Sequence, residues 1–149
     1  PIYKDTKQFV KDSDLIKSIY SFPNQIDFYE KKEFMGDILF KNVGLFRSDL
    51  KMNDVLSQIK QWKKEYNLMG IKDKSKEYNN NLVQFIEFGN MIQLAEVLTL
   101  SAISRVESRG SHFRIDYPYE VELYEKNSVS SKINDEVVIN FEDVKWILQ

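Results

Sequence analysis

The chain has 149 residues, 42% of them apolar and 30% charged, with a formal net charge of −2. That is enough to bury the core of one domain without disulfides or metal, too apolar for a disordered chain, and without the basic field that attracts nucleic acid or anionic lipid. There is no Cys, which excludes a thiolate nucleophile, a Cys-based zinc site and an iron–sulfur cluster ligated from these residues.

No run approaches the roughly 18 to 20 apolar residues that span a bilayer, and no signal-peptide pattern opens the chain. It begins at Pro1 with no initiating Met, and is read as a piece of a longer protein.

A short helix is expected from Asp14 to Tyr20, capped by Asp12 or Ser13 and ended before Pro23. A second is expected from Asp27 to Asn42, where Phe34, Met35, Ile38, Leu39 and Val43 recur at helical spacing and Gly44 stands at the C-terminal cap. The third has the clearest pattern. Met52, Val55, Leu56, Ile59, Trp62 and Tyr66 share one face, opposite Asp54, Lys60, Gln61, Lys63 and Lys64, and the helix should end near Asn67.

The fourth, from Asn79 to Arg109, carries Leu82, Phe85, Ile86, Phe88, Met91, Ile92, Leu94, Val97, Leu98, Leu100 and Ile103 around most of its circumference. A helix apolar nearly all round is enclosed by neighbours. The small residues Gly89, Ala95, Ser101, Ala102 and Ser104 would let those neighbours approach, and Gly110 supplies a stop.

The tail changes period. Val121, Leu123 and Tyr124, then Val137, Val138, Ile139, Phe141, Val144, Trp146 and Leu148, suggest a two-stranded hairpin around a polar loop, Asn127–Asp135. A lone hairpin is marginal in water, so it must dock on the helices or on something outside the chain. The expected architecture is mainly α: a spectrin-like three-helix bundle with an N-terminal extra helix and a C-terminal β-hairpin. Residues 1–118 would form the helical bundle domain and 119–149 its hairpin appendage.

Most familiar chemistry is missing. There is no Gly-x-Gly-x-x-Gly and no Walker-type loop. Ser111, the sole histidine His112, and Asp116 suggest a hydrolase triad only superficially, since adjacent Ser and His do not readily converge on one Asp. His112 reads as a loop-positioning side chain. Glu96 and Glu107 are separated along one expected helix, and Lys60, Lys63 and Lys64 around Trp62 read as a solvated face. What remains is a cluster, Arg105, Glu107, Arg109, His112, Arg114 and Asp116, placed directly after the most apolar segment. Two compatible readings stay open: an ion-pair network that clamps the end of the central helix, or a docking surface for another domain or subunit.

Glu107-Ser-Arg-Gly-Ser-His-Phe-Arg-Ile-Asp-Tyr-Pro118 resembles the Glu-Ser-Arg-Gly-Ala-His-x-Arg-x-Asp motif near the C-terminus of the flavoprotein subunits of fumarate reductase and succinate dehydrogenase. Three upstream segments agree in order and spacing with that family: Val43-Gly-Leu-Phe-Arg47, Asp73-Lys-Ser-Lys-Glu-Tyr-Asn79 and Ile86-Glu-Phe-Gly-Asn-Met91. Asn140-Phe-Glu-Asp-Val-Lys145 is similar to the closing segment of fumarate reductase flavoproteins and favours that branch over L-aspartate oxidase. Ser111 stands where the family usually has alanine, and Tyr119-Glu-Val-Glu122 replaces the common Arg-Asp-Asp run.

The resemblance implies a helical C-terminal domain that packs on an upstream FAD domain and contacts an iron–sulfur subunit. Fumarate/succinate interconversion would occur upstream, with FAD bound there and no cofactor, metal or catalytic residue in these positions. It implies no nucleic acid and no direct membrane insertion, in a parent protein peripheral to the inner membrane, with the cytoplasmic side favoured over the periplasmic and the side left open by the sequence. The alternatives are a free-standing helical interaction module, or the equivalent domain of an L-aspartate oxidase-like flavoenzyme.

Overall fold

A computed structural model describes residues 6–145. Helix α1 (Lys7–Ile19) is followed by α2 (Phe28–Val43), strand β1 (Phe46–Arg47), α3 (Asp49–Glu65), a 3₁₀ turn (Tyr66–Leu68) and α4 (Asn80–Ser104). Strand β2 (Phe113–Arg114), a second 3₁₀ turn (Glu122–Tyr124) and a hairpin of β3 (Lys126–Ile133) and β4 (Glu136–Asp143) complete the described chain. The fold is mainly α, a three-helix bundle of α2, α3 and α4 with an extra N-terminal helix and a C-terminal hairpin, as the periodicities lead one to expect.

Helices α2 and α3 lie within a few residues of their expected positions because each has a strong local start and one apolar stripe. Asp27 caps α2 by accepting from the Tyr29 amide at 2.9 Å. Met52, Val55, Leu56, Ile59 and Trp62 of α3 are all buried, and all but Leu56 share one core cluster with Met35 of α2 and Phe85, Phe88, Ile92 and Ala95 of α4. Aromatic edges stitch the layers. Phe28 meets Phe85 edge-on at 5.2 Å, and Phe34 meets Trp62 at 6.1 Å. A Cβ on Gly89 would lie 2.6 Å from the Tyr66 hydroxyl, so the absence of a side chain there lets Tyr66 lie against α4 and stack on Phe85 at 4.6 Å.

Four expectations need correction. Helix α1 begins at Lys7, capped by Thr6, rather than at Asp14; Ile19 is its one buried residue, so its sequence carries little of the stripe that betrays a helix. Helix α4 ends at Ser104, not Arg109, and Gly110 (φ +57°) instead turns the chain between Arg109 and His112. The stop comes from side chains that reach its last carbonyls from elsewhere. Helix α4 is also not enclosed on all sides: Leu94 is 68% exposed, and Leu98 and Val83 are exposed on the same side.

The last correction concerns the hairpin. Its supposed polar loop, Asn127–Asp135, is largely strand β3, paired residue for residue with β4, and the turn is Asn134–Asp135 with both φ positive. Two consecutive left-handed residues are what a tight two-residue hairpin demands, and Asn and Asp tolerate them best after Gly. Val121–Tyr124, expected as the first strand, forms the approach and the 3₁₀ turn. Trp146 and Leu148 lie outside the described residues. The hairpin packs against α4 within the chain, Ser130–Lys132 and Val137 facing Gln93, Glu96 and Val97.

Candidate functional site

The charged cluster forms where α4 runs out. Arg105 is the extended residue that ends the helix, and the next twenty residues fold back over the helix ends. Burying charge in such a place requires every partner to be supplied.

Glu107 is 0% exposed. Its Oε1 accepts from Arg105 Nη1 at 2.6 Å and Arg109 Nε at 3.0 Å; its Oε2 accepts from Arg109 Nη2 at 3.1 Å and the Val121 amide at 2.9 Å. Burial pushes its pKa up, but the Arg109 bonds, the Val121 amide and Arg105 together outweigh burial and hold it below the usual carboxylate range.

Arg105 does more than neutralise Glu107. It also donates to the carbonyls of Tyr124 (2.6 Å) and Lys126 (2.7 Å) and to Ser128 Oγ (2.9 Å), with the Phe141 ring 5.2 Å from its guanidinium carbon. One guanidinium therefore ties the end of α4 to both strands of the hairpin. Arg109 completes the Glu107 pair and reaches Glu120 at 3.3 Å.

Arg114 is likewise 0% exposed. It forms a two-pronged pair with Asp116 (2.8 and 2.7 Å) and donates from Nη1 to the Ala102 and Ile103 carbonyls, both at 3.3 Å. Those are orphan carbonyls of α4's last turn, where a cation suits the helix dipole. Asp116 Oδ2 in turn accepts from the Asp49 amide at 2.8 Å. Ser48, the formal cap of α3, makes no side-chain bond there, so Asp116 caps α3 from 67 residues away. Bonding to Arg114 leads the causes that depress its pKa to about 2.

His112 joins the same knot. Its Nε2 meets the Arg105 carbonyl at 3.1 Å and its Nδ1 meets Arg47 Nη1. Arg47 Nε donates to the Val43 and Gly44 carbonyls at 2.9 and 2.8 Å, closing the C-terminal end of α2. Gly44 is required here for space rather than for a left-handed φ: a Cβ would run into the Phe40 carbonyl oxygen. Strands β1 and β2 pair in parallel, Phe46 with Phe113 and Arg47 with Arg114.

All six expected residues converge on one region. Arg47, Asp49 and the Val121 amide were not expected; Arg47 does close the Val43–Arg47 segment already singled out. The hydrolase geometry does not form, because Ser111 is exposed while His112 and Asp116 face arginines and backbone. Glu96 pairs with Lys63 at 2.7 Å, away from Glu107. Among the described residues no group of His, Asp and Glu is arranged to hold a metal ion, and no helix is long and apolar enough to cross a membrane. A groove of about 360 Å³ between α1, α3, α4 and the hairpin turn has its charges already paired, Lys63 with Glu96 and Lys132 with Asp135.

Residues 32–147 match the family model described as the C-terminal part of fumarate reductase flavoprotein. The fumarate reductase flavoprotein subunit of Helicobacter pylori is 32% identical over 111 residues, 74% of this chain but 16% of that protein. The succinate dehydrogenase flavoprotein subunit of Bacillus subtilis is 31% identical over 108 residues, 72% of this chain and 18% of that protein. The fold is shared with a solved E. coli quinol fumarate reductase chain (TM-score 0.87, 22% identity, 95% of this chain and 25% of that one). It is shared too with a Mycobacterium smegmatis Sdh1 complex (TM-score 0.81, 18% identity, 97% and 25%). The chain thus spans under a fifth of the length of these curated relatives. With the matched region running from within α2 through β4, the chain belongs to the fumarate reductase flavoprotein C-terminal family.

Proposed function

We propose that these residues are the helical C-terminal domain of an FAD-dependent fumarate reductase or succinate dehydrogenase flavoprotein. The domain packs on the FAD domain that precedes it and contacts an iron–sulfur subunit, while fumarate/succinate interconversion takes place upstream. One observation carries the packing role. Phe40 is 83% exposed and Leu50 74%, with Leu45, Phe46 and Ile115 exposed beside them where α2 gives way to α3 and β1 meets β2. Large apolar side chains grouped at one end of a bundle favour contact with another protein surface.

The charged cluster acts as an internal clamp rather than as the docking surface. Glu107 and Arg114 are fully buried, and both Glu107 oxygens are occupied from within the chain. Docking then falls to the apolar corner that the clamp shapes.

The test is to express the chain alone and joined to its upstream sequence. Alone it is expected to fold, stay colourless and leave fumarate unreduced by a reduced dye; the longer protein is expected to be yellow and active. Leu50→Glu in the longer protein should loosen the packing and lower flavin retention. Flavin bound by the chain alone, or retention untouched by Leu50→Glu and Phe46→Glu together, would contradict the reading.

A further inference from the structure

The two hydrogen bonds of His112 constrain its protonation. The Arg105 carbonyl can only accept, so Nε2 must carry the proton; the Arg47 guanidinium can only donate, so Nδ1 must present its lone pair. The neutral Nε2–H form satisfies both neighbours. A second proton on Nδ1 would set an N–H against an N–H and add positive charge beside arginines.

The ring also sits at a structural junction. Through Arg47 it reaches the carbonyls that end α2, and through Arg105 it reaches the residue that ends α4. The Arg47 carbonyl accepts from the Ile115 amide at 2.8 Å, so the same arginine belongs to the β1–β2 pair that carries Phe46 and Phe113.

We propose that His112 is an acid-released clasp: neutral, it joins the C-terminal ends of α2 and α4 through Arg47 and the Arg105 carbonyl, and protonated at Nδ1 it releases Arg47 and loosens the β1–β2 corner. The charged groups around the ring are Arg47 from β1, Arg105 from the end of α4 and Arg114 from β2, and no carboxylate pairs with the ring among the described residues. Burial is the largest influence and pushes its pKa down; the Arg105 carbonyl opposes this, and the three arginines add to it. Because the folded value lies below the ordinary 6.5, the clasp is fully in force above that pH. It is lost as pH falls below 6.5 and through the folded value.

As the only histidine in the chain, His112 gives a single ring signal, so nitrogen and proton NMR of the unaltered chain tests this directly. The expected result is the Nε2–H form at neutral pH and a titration midpoint below 6.5, with the amide signals of Arg47, Phe113 and Ile115 shifting at that midpoint. The melting temperature should fall by on the order of 5 °C across the same step. His112→Gln, which keeps an acceptor and a donor but cannot titrate, should lose that step while retaining the rest of the acid response. An Nδ1–H form, a midpoint at or above 6.5, amides indifferent to it, or the same step in His112→Gln would overturn the proposal. The readout concerns the chain itself, so it fails or succeeds independently of docking on a flavin domain.

Discussion

The α3–α4 interface and the turn beyond Ser104 each bury some side chains completely, and they are held by opposite means. Between the helices, Met52, Val55, Ile59 and Trp62 cluster with Phe85, Phe88 and Ile92, and the one ion pair beside them, Lys63–Glu96, lies outside that apolar cluster. Beyond Ser104, full burial extends to a glutamate and an arginine, each with ionic partners. Apolar burial is non-directional, so it tolerates replacements of similar size. A buried ion pair is directional, and removing one member strands the other. The first region should degrade gradually and the second abruptly.

The largest effect should come from Glu107. Glu107→Gln preserves shape yet leaves Arg105 without its anion and Arg109 with only the exposed Glu120, and is expected to cost about 3–5 kcal/mol in denaturant unfolding. Trp62→Ala should cost a similar amount, about 3–5 kcal/mol, by opening a cavity. Trp62→Phe, however, should recover a good part of that loss, whereas no near-isosteric neutral residue rescues Glu107. If Glu107→Gln proves neutral, the contrast between the regions collapses.

Arg109→Ala should be milder, about 1–3 kcal/mol, because Arg105 and the Val121 amide still serve the Glu107 carboxylate. Asp116 offers a pH test. Its folded pKa of about 2 lies below the ordinary 3.8, so its contribution is complete above pH 3.8 and disappears as pH falls through about 2. Asp116→Asn should therefore flatten the stability curve in that window, read by thermal melts. Smallest of all, Leu50→Gln in the chain alone should change stability by no more than about 0.5 kcal/mol, since the side chain is largely exposed.

The contrast also explains what could be read in advance. The stripe of α3 and the Asp27 start of α2 are local signals, and both helices formed where those signals lay. The six ionisable residues after α4 could be named as a cluster because so many such groups in a dozen residues beside an apolar run must find partners. Which partners they find was not legible. Asp116 caps α3, Arg114 closes α4 and Arg47 closes α2, and each link joins residues distant in sequence or reaches a backbone group that any residue possesses.

By itself the sequence determined the helical class, the bundle's apolar faces and the existence of the polar knot, because periodicity and charge density are properties of short stretches. Only tertiary structure decided where α4 stops, that Asn127–Ile133 is strand rather than loop, and that Leu94 and Leu98 remain exposed among the described residues. Helix ends and strand pairings are settled by whichever group reaches an unsatisfied carbonyl or amide, and that depends on how distant segments are brought together.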